Sequence, residues 1–378
     1  MYAVERRDVS PSAASLRETC LEGAGLGISQ RDQPDRVDKP DIADMLARHH
    51  ACAHNTEAKC GHGEALGKTH KVDALSAMPI LTSHARRPLG KGGLSVPRIG
   101  WGLWRFRGDD VRAARARVDA AIEGGLDLFD TADVYGPDNG EPFGAAEALL
   151  GRVFAEAPSL RDRIVLATKG GIELGTPYNC SADYLVRACE ASLQRLRVEA
   201  VDLYQIHRPD LMAHPGEVAS ALDALRRAGK IREAGVSNYT PAQVAALQAH
   251  LPFPLASIQP EFSPLALAPL TDGTLDQAMA HGLAVFAWSP LAGGRLISGA
   301  GARSAEVMSA LAPIAARAGV DESAAAYAWI MAHPATPTPL VGTQSPSRIR
   351  AASDAFKVIY SRQEWYAVLV AARGEKLP

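Results

Sequence analysis

Four side chains that can move or hold protons recur at the ends of strand-like apolar runs. They are Asp130 and Tyr135 in LDLFDTADVYG, Lys169 in IVLATKGG and His207 in VDLYQIHRPD. A phenol can protonate an alkoxide, but with an ordinary pKa of about 10 it is a weak acid at neutral pH. A nearby ammonium favours the phenolate and lowers that pKa, and a carboxylate paired to the ammonium fixes it and keeps it charged. Tyr135, Lys169 and Asp130 can supply these three parts, and His207 can donate a hydrogen bond to the oxygen that receives the proton. Taken singly, each has a plainer reading: a turn-capping Asp130, a half-buried loop Tyr135, a solvated Lys169, a backbone-bonded His207. Their joint occurrence at strand ends favours the chemical set.

The elements that must position them alternate. Strand patterns are read at 97–104, 126–130, 163–168, 201–206, 231–236, 255–259, 283–287 and 338–342. Several are almost wholly apolar, as strands covered on both faces are. Helical patterns lie between them. Residues 111–125 place Val111, Ala114, Val118 and Ala121 on one stripe, with Gly124 and Gly125 as the stop. Residues 181–198 have Ser181 as N-cap and Leu185, Ala188, Leu193 and Leu196 inward. Residues 215–230 end in Gly-Lys, and 240–250 begin with a Thr240 cap and Pro241 at the first helical position. Short strand–helix alternation implies parallel strands with right-handed crossovers, and eight repeats imply a closed (β/α)8 TIM barrel at 87–378. Such a barrel collects its strand ends, and the four residues, on one face.

These motifs, in this order, resemble those of the aldo-keto reductases, a bacterial oxidoreductase subgroup in particular, over about residues 88–378. The resemblance implies a hairpin across the barrel bottom, for which LGKGGLSVPRIG offers a Gly-Gly turn. It implies an NADP-dependent enzyme that reduces aldehydes or ketones to alcohols, with catalytic Asp130, Tyr135, Lys169 and His207. Ser237 and Asn238 in GVSNY, with Gln259, match contacts to the nicotinamide carboxamide, and Trp288 offers a flat face for the ring. Ser289, Leu291 and Gly293 in SPLAGGRL match a pyrophosphate-binding loop. Thr343, Ser345 and Arg348 match the segment that binds the adenosine 2′-phosphate, where Arg348 can bond bidentately. Gly342 stands where many members carry a phosphate-binding Lys, and Ala351 and Ala352 replace polar adenine contacts. NADPH is therefore the expected cofactor, with NADH an open alternative. Trp104 matches a residue lining the carbonyl site. The implied partner is a small-molecule carbonyl substrate. A nicotinamide-nucleotide-binding regulatory subunit with incidental reductase activity is the alternative reading.

Composition sets the remaining bounds. The 378 residues are 47% hydrophobic and 22% charged, with a formal net charge of −2. That leaves no basic footprint for nucleic acid, and no apolar run approaches the roughly 20 residues that span a membrane. The N-terminal residues lack the apolar core of a secretory signal, and an odd cysteine count without one reads as reduced thiols in the cytoplasm. Nothing in composition fixes the oligomeric state; a monomer is compatible with it. A His-x-His pair or clustered carboxylates at strand ends, as a metal-dependent barrel hydrolase would need, are missing. Composition changes near residue 85. Residues 1–86 hold six of the eleven His and three of the five Cys and show poor apolar periodicity. They read as a disordered extension or as a misassigned start, with Met78 just before the matched region. Cys52-x-His54 and Cys60-x-His62 have zinc-ligand types but not a zinc-finger spacing, so no metal site is expected.

Overall fold

The computed structural model describes residues 77–78 and 86–378. The reading of residues 1–86 as an extension, and the Cys/His pairs within it, lie outside the described residues. The strands are β1 (Ala77–Met78), β2 (Arg87–Leu89), β3 (Leu94–Val96), β4 (Gly100–Gly102), β5 (Leu128–Asp130), β6 (Val165–Gly170), β7 (Val201–Ile206), β8 (Ile231–Ser237), β9 (Ser257–Gln259), β10 (Ala284–Ala287), β11 (Thr338–Val341) and β12 (Tyr360–Ser361). Strands β4 to β11 close into a barrel, each parallel to its neighbours, with β11 pairing back to β4. The eight strands read from the sequence are these eight. Their buried, largely apolar residues face the barrel interior on one side and the helices on the other, so few polar positions break the pattern.

The interior is small. Leu128, Val165, Leu203, Ala284, Phe286 and Leu340 fill it from the lower strand ends, and Leu89 and Val96 of the antiparallel β2–β3 hairpin pack beneath them. The hairpin turn is tied to the barrel wall by the Gly92 N–H, which donates to Glu233 at 2.8 Å. A side chain at Gly90, where φ is +64°, would meet the same carboxylate. The expected floor of the barrel is thus present.

The outer layer consists of helices whose apolar stripes face the sheet. Helix α1 (Val111–Glu123) is capped by Asp110, buries Ala114, Val118 and Ala121, and ends at Gly124 as its pattern predicts. Helix α2 spans Ala145–Glu156 and α3 spans Ala182–Leu196. On α3 the Ser181 hydroxyl does not cap the helix. It donates to Asn179 at 2.8 Å instead, and Glu217 receives the Ala182 N–H. Ala188 is half-buried, and the neighbouring Cys189 takes the inward position. Helices α4 (Pro215–Arg227) and α5 (Pro241–Gln248) follow, the latter with a complete Thr240–Gln243 capping box. The outer layer is completed by α6 (Thr274–His281), α7 (Arg295–Ser298), α8 (Ala302–Ala318), α9 (Glu322–Met331), α10 (Pro346–Ala351) and α11 (Arg362–Arg373). Trp329 of α9 stacks on Trp365 of α11 with centroids 5.0 Å apart and planes within 9°. Each indole N–H donates to the other residue's carbonyl at 3.0 Å. Among the described residues no helix is long and apolar enough to cross a membrane.

Candidate active site

Asp130 is the last residue of β5, and the chain after it does not leave the barrel. Thr131 N–H donates to Ala167 at 2.9 Å and Asp133 N–H to Lys169 at 3.0 Å, so the loop is stitched along the end of β6. That stitching returns Tyr135 over Lys169. The Lys169 ammonium, wholly buried, spends its three donors on Asp130 Oδ2 at 2.7 Å, the Thr131 carbonyl at 2.9 Å and the Tyr135 hydroxyl at 3.2 Å. The other Asp130 oxygen receives Gln259 at 3.0 Å and Gln205 at 3.4 Å. Gln205 is absent from the sequence-derived set. Strand alternation could have found it, because Gln205 on β7 and His207, which directly follows the strand, are two residues apart and so share a face.

Electrostatics follow from burial and these contacts. Burial pulls the Lys169 ammonium down, but Asp130 and Tyr135 outweigh it and the pKa stands above the ordinary value. Tyr135 departs from expectation. Lys169 does favour its phenolate, but burial and the Asp130 charge prevail, and its pKa is raised. The phenol therefore holds its proton through neutral pH. His207 is pushed well below the ordinary range by burial, then by the Lys169 and Arg208 charges, so its imidazole is neutral. Its N–H anchors to the Gly170 carbonyl at 2.9 Å through the backbone, and its ring meets Tyr135 edge-on at 5.8 Å. Nδ1 of His207 is buried with no hydrogen-bond partner among the described residues.

Tyr135 and His207 open onto a cavity of about 1210 Å³ across the C-terminal face of the barrel. Pockets for drug-sized ligands hold about 300–1,000 Å³, so this cleft has room for a dinucleotide and a substrate. Trp104, Ser237, Asn238, Gln259, Trp288, Ser289, Leu291, Gly293, Thr343, Ser345 and Arg348 all line it. The structure thus gathers the sequence-derived residues around one cleft, with Lys169 behind Tyr135. Asn238, in a left-handed conformation at φ 60°, bonds Ser237 Oγ at 2.8 Å and the His207 carbonyl at 3.2 Å, and receives the Trp288 indole N–H at 2.9 Å. Ser237 Oγ donates to the Gln259 carbonyl at 2.9 Å. These bonds hold amide and hydroxyl groups beside a fixed indole plane, a fit for a carboxamide-bearing aromatic ring. In the next loop Leu291 has φ −112° and Ala292 φ 51°, the alternation that gathers N–H groups into an anion-binding concavity. Ser345 Oγ lies 3.0 Å from Ser347 Oγ at the start of α10, on which Arg348 sits. Both ends therefore suit a nicotinamide dinucleotide.

Other polar residues of the region escaped the sequence reading. Arg105 donates to the Gly293 carbonyl at 3.3 Å, and Arg208 lies over Trp288. Behind the site, buried Glu147 accepts from Thr168 at 2.5 Å and from Arg195 at 2.7 Å. Asp133 beside them is raised well above the ordinary carboxylate value by burial first and Glu147 second, which favours its protonated form. Cys180 and Cys189 are buried thiols pushed up to about 12 by burial, which leaves them unreactive. A second cavity of about 740 Å³ lies near the opposite end of the barrel, lined by Arg161, Asp202 and Arg232 among others. Its buried carboxylate is already saturated by guanidinium groups, so it lacks a transferable proton beside open space.

The Aldo/keto reductase family matches residues 98–369. The chain is 52% identical to a 6-dehydroglucose reductase of Novosphingobium aromaticivorans, covering 78% of this chain and 97% of that one. A 6-dehydroglucose reductase of Agrobacterium fabrum is 38% identical over 75% of this chain and 97% of its own. Among solved structures, a thermostable aldo-keto reductase in complex with the inhibitor epalrestat superposes with TM-score 0.65 at 25% identity, over 76% of this chain and 99% of that one.

Proposed function

The chain belongs to the aldo/keto reductase family, and from that premise we propose that it reduces an aldehyde to an alcohol using NADPH, with Tyr135 as the proton donor. The observation that carries this reading is the chain of contacts from Asp130 through the buried Lys169 ammonium to Tyr135, which opens on the cavity. When bound in the cleft, the cofactor supplies a hydride to the carbonyl carbon. Tyr135 supplies the proton to the carbonyl oxygen. Its raised pKa keeps the phenol protonated before reaction, and the Lys169 charge stabilises the phenolate left behind. Neutral His207 orients the carbonyl oxygen by hydrogen bonding. Asp130 holds Lys169 in line and keeps it charged.

Ser237, Asn238 and Gln259 hold the carboxamide in this reading, Trp288 stacks on the ring, and the loop at Ser289, Leu291 and Gly293 takes the pyrophosphate. Thr343, Ser345 and Arg348 at the far end support NADPH over NADH. Trp104 forms the substrate wall. The names of the two reductase relatives favour a sugar-derived aldehyde. In 6-dehydroglucose the carbon beside the aldehyde bears an oxygen.

The test is NADPH oxidation by the purified protein with a series of small aldehydes, beside Tyr135→Phe. Loss of a general acid costs about 10²–10⁴-fold, and kcat should fall by that much with NADPH affinity retained. A Tyr135→Phe enzyme of unchanged kcat would remove the proton-donor assignment. A wild type that binds NADPH without turning over any aldehyde would favour the regulatory alternative.

A further inference from the structure

Arg208 follows His207 at the end of β7 and lines the same cavity as Tyr135 and Trp104. It is half-buried. Three arginines of the barrel wall and its helices are anchored on acids: Arg161 and Arg232 on Asp202, Arg195 on Glu147. Arg208 is different. Among the described residues no carboxylate pairs with it and no oxygen accepts from its guanidinium. What holds it is the Trp288 indole, whose ring centre lies 5.5 Å from Cζ. A guanidinium presents five N–H donors in a planar fork, and donors left unpaired in a half-buried cleft are costly. A cation held by an aromatic face alone can re-aim those donors onto an incoming oxygen. The charge already pulls both Tyr135 and His207 downward in pKa, as expected of a cation close to the two groups that would touch a carbonyl oxygen.

The lining at Trp104 is organised differently. Trp104 is clasped by the short helical turn at Pro137–Asn139: its indole N–H reaches Asp138 at 3.4 Å and its carbonyl receives Asn139 at 2.6 Å. A substrate whose carbonyl oxygen rests on Tyr135 and His207 thus shares the cleft with the Trp104 indole and with an unspent guanidinium carried by the residue next to His207.

We infer that Arg208 is a specificity-determining residue that selects aldehydes carrying an oxygen on the carbon next to the carbonyl, by donating hydrogen bonds to that oxygen. The inference rests on the carbonyl-reductase reading of this site and names the substrate feature that the site recognises. Polyhydroxylated aldehydes have this oxygen; simple alkanals do not.

The experiment compares 2-hydroxypropanal with propanal, which differ only in that oxygen, for the wild type, Arg208→Met and Arg208→Lys. The readout is the ratio of the two kcat/KM values with NADPH saturating. The wild type should favour 2-hydroxypropanal, and Arg208→Met should shrink the ratio by roughly 10- to 100-fold, the worth of a charge-assisted hydrogen bond. Because the contact is made in ground and transition states alike, the loss should appear in KM more than in kcat. Arg208→Lys, which keeps the charge and a donor, should recover part of the ratio. A wild type without preference would overturn the inference, as would a ratio unmoved in Arg208→Met while both rates fall together. Turnover of propanal by the wild type tests the reductase reading separately. If neither aldehyde is reduced, that reading fails and the inference falls with it.

Discussion

Asp130 and Asp202 are both buried, both on barrel strands and both paired to cations, yet only one sits where chemistry can occur. Asp202, near the start of β7, accepts Arg161 at 2.9 Å, Arg232 at 3.1 Å and the Leu166 N–H at 2.9 Å. Guanidinium groups keep their protons at every accessible pH, so this cluster can only hold. Asp130, at the other end of the barrel, binds an ammonium that also touches a phenol, and the phenol faces open space. The difference lies in neither burial nor charge. It is whether a transferable proton stands between the ion pair and a cavity.

Substitutions can separate the two clusters. The largest effect is expected of Lys169→Met, which removes the cation beside Tyr135. Reductase kcat should fall by about 10²–10⁴-fold, read by NADPH oxidation, and an activity within tenfold of wild type would erase the contrast. Asp202→Ala should do the reverse. Activity stays, while stability falls by about 2–3 kcal/mol. That is less than the loss of a fully buried partner, because Arg232 is half exposed and rehydrates. A thermal midpoint lower by roughly 5–10 °C would register it. Next is Arg348→Ala. NADPH binding should weaken by about tenfold or more relative to NADH, measured by calorimetry with each cofactor. Equal losses for both would end its role at the 2′-phosphate.

The smallest effect sharpens the comparison through pH. Asp133 has its folded-state pKa raised, so the native state holds the proton more tightly than the unfolded chain. That contribution is complete below the unfolded pKa near 4 and is lost as pH rises through the folded value. Asp133→Asn removes the dependence. Its melting temperature should exceed that of the wild type by about 2 °C or more at pH 8–9 and converge with it near pH 4. A constant difference across pH would mean that Asp133 is not protonated in the fold.

The barrel was legible because parallel strands buried on both faces leave continuous apolar runs. The gathering of Asp130, Tyr135, Lys169 and His207 was legible because strand ends share a face. What sequence did not show were consequences of tertiary burial. Tyr135 is raised rather than lowered because desolvation outweighs Lys169, and desolvation has no local signature. Ser181 looked like a cap, but Asn179 two residues earlier captures its hydroxyl, a competition between short-range partners that spacing alone does not resolve. Arg208 carries no signal of its own in the sequence, since only the fold shows that among the described residues no acid pairs with its guanidinium. Gln259 reads as a ligand contact; the fold adds its bond to Asp130, which joins the cleft to the Asp130–Lys169–Tyr135 contacts.

The stacked indoles of Trp329 and Trp365 also have an optical consequence. Stacked chromophores at 5.0 Å couple their transitions, so the pair should contribute a near-ultraviolet signal that exists only while α9 and α11 are docked. Trp104 and Trp288 line the cleft instead, and their emission should respond to whatever enters it. A single unlabelled sample therefore carries two separable spectroscopic signals, one for the integrity of the helical layer and one for the occupancy of the site.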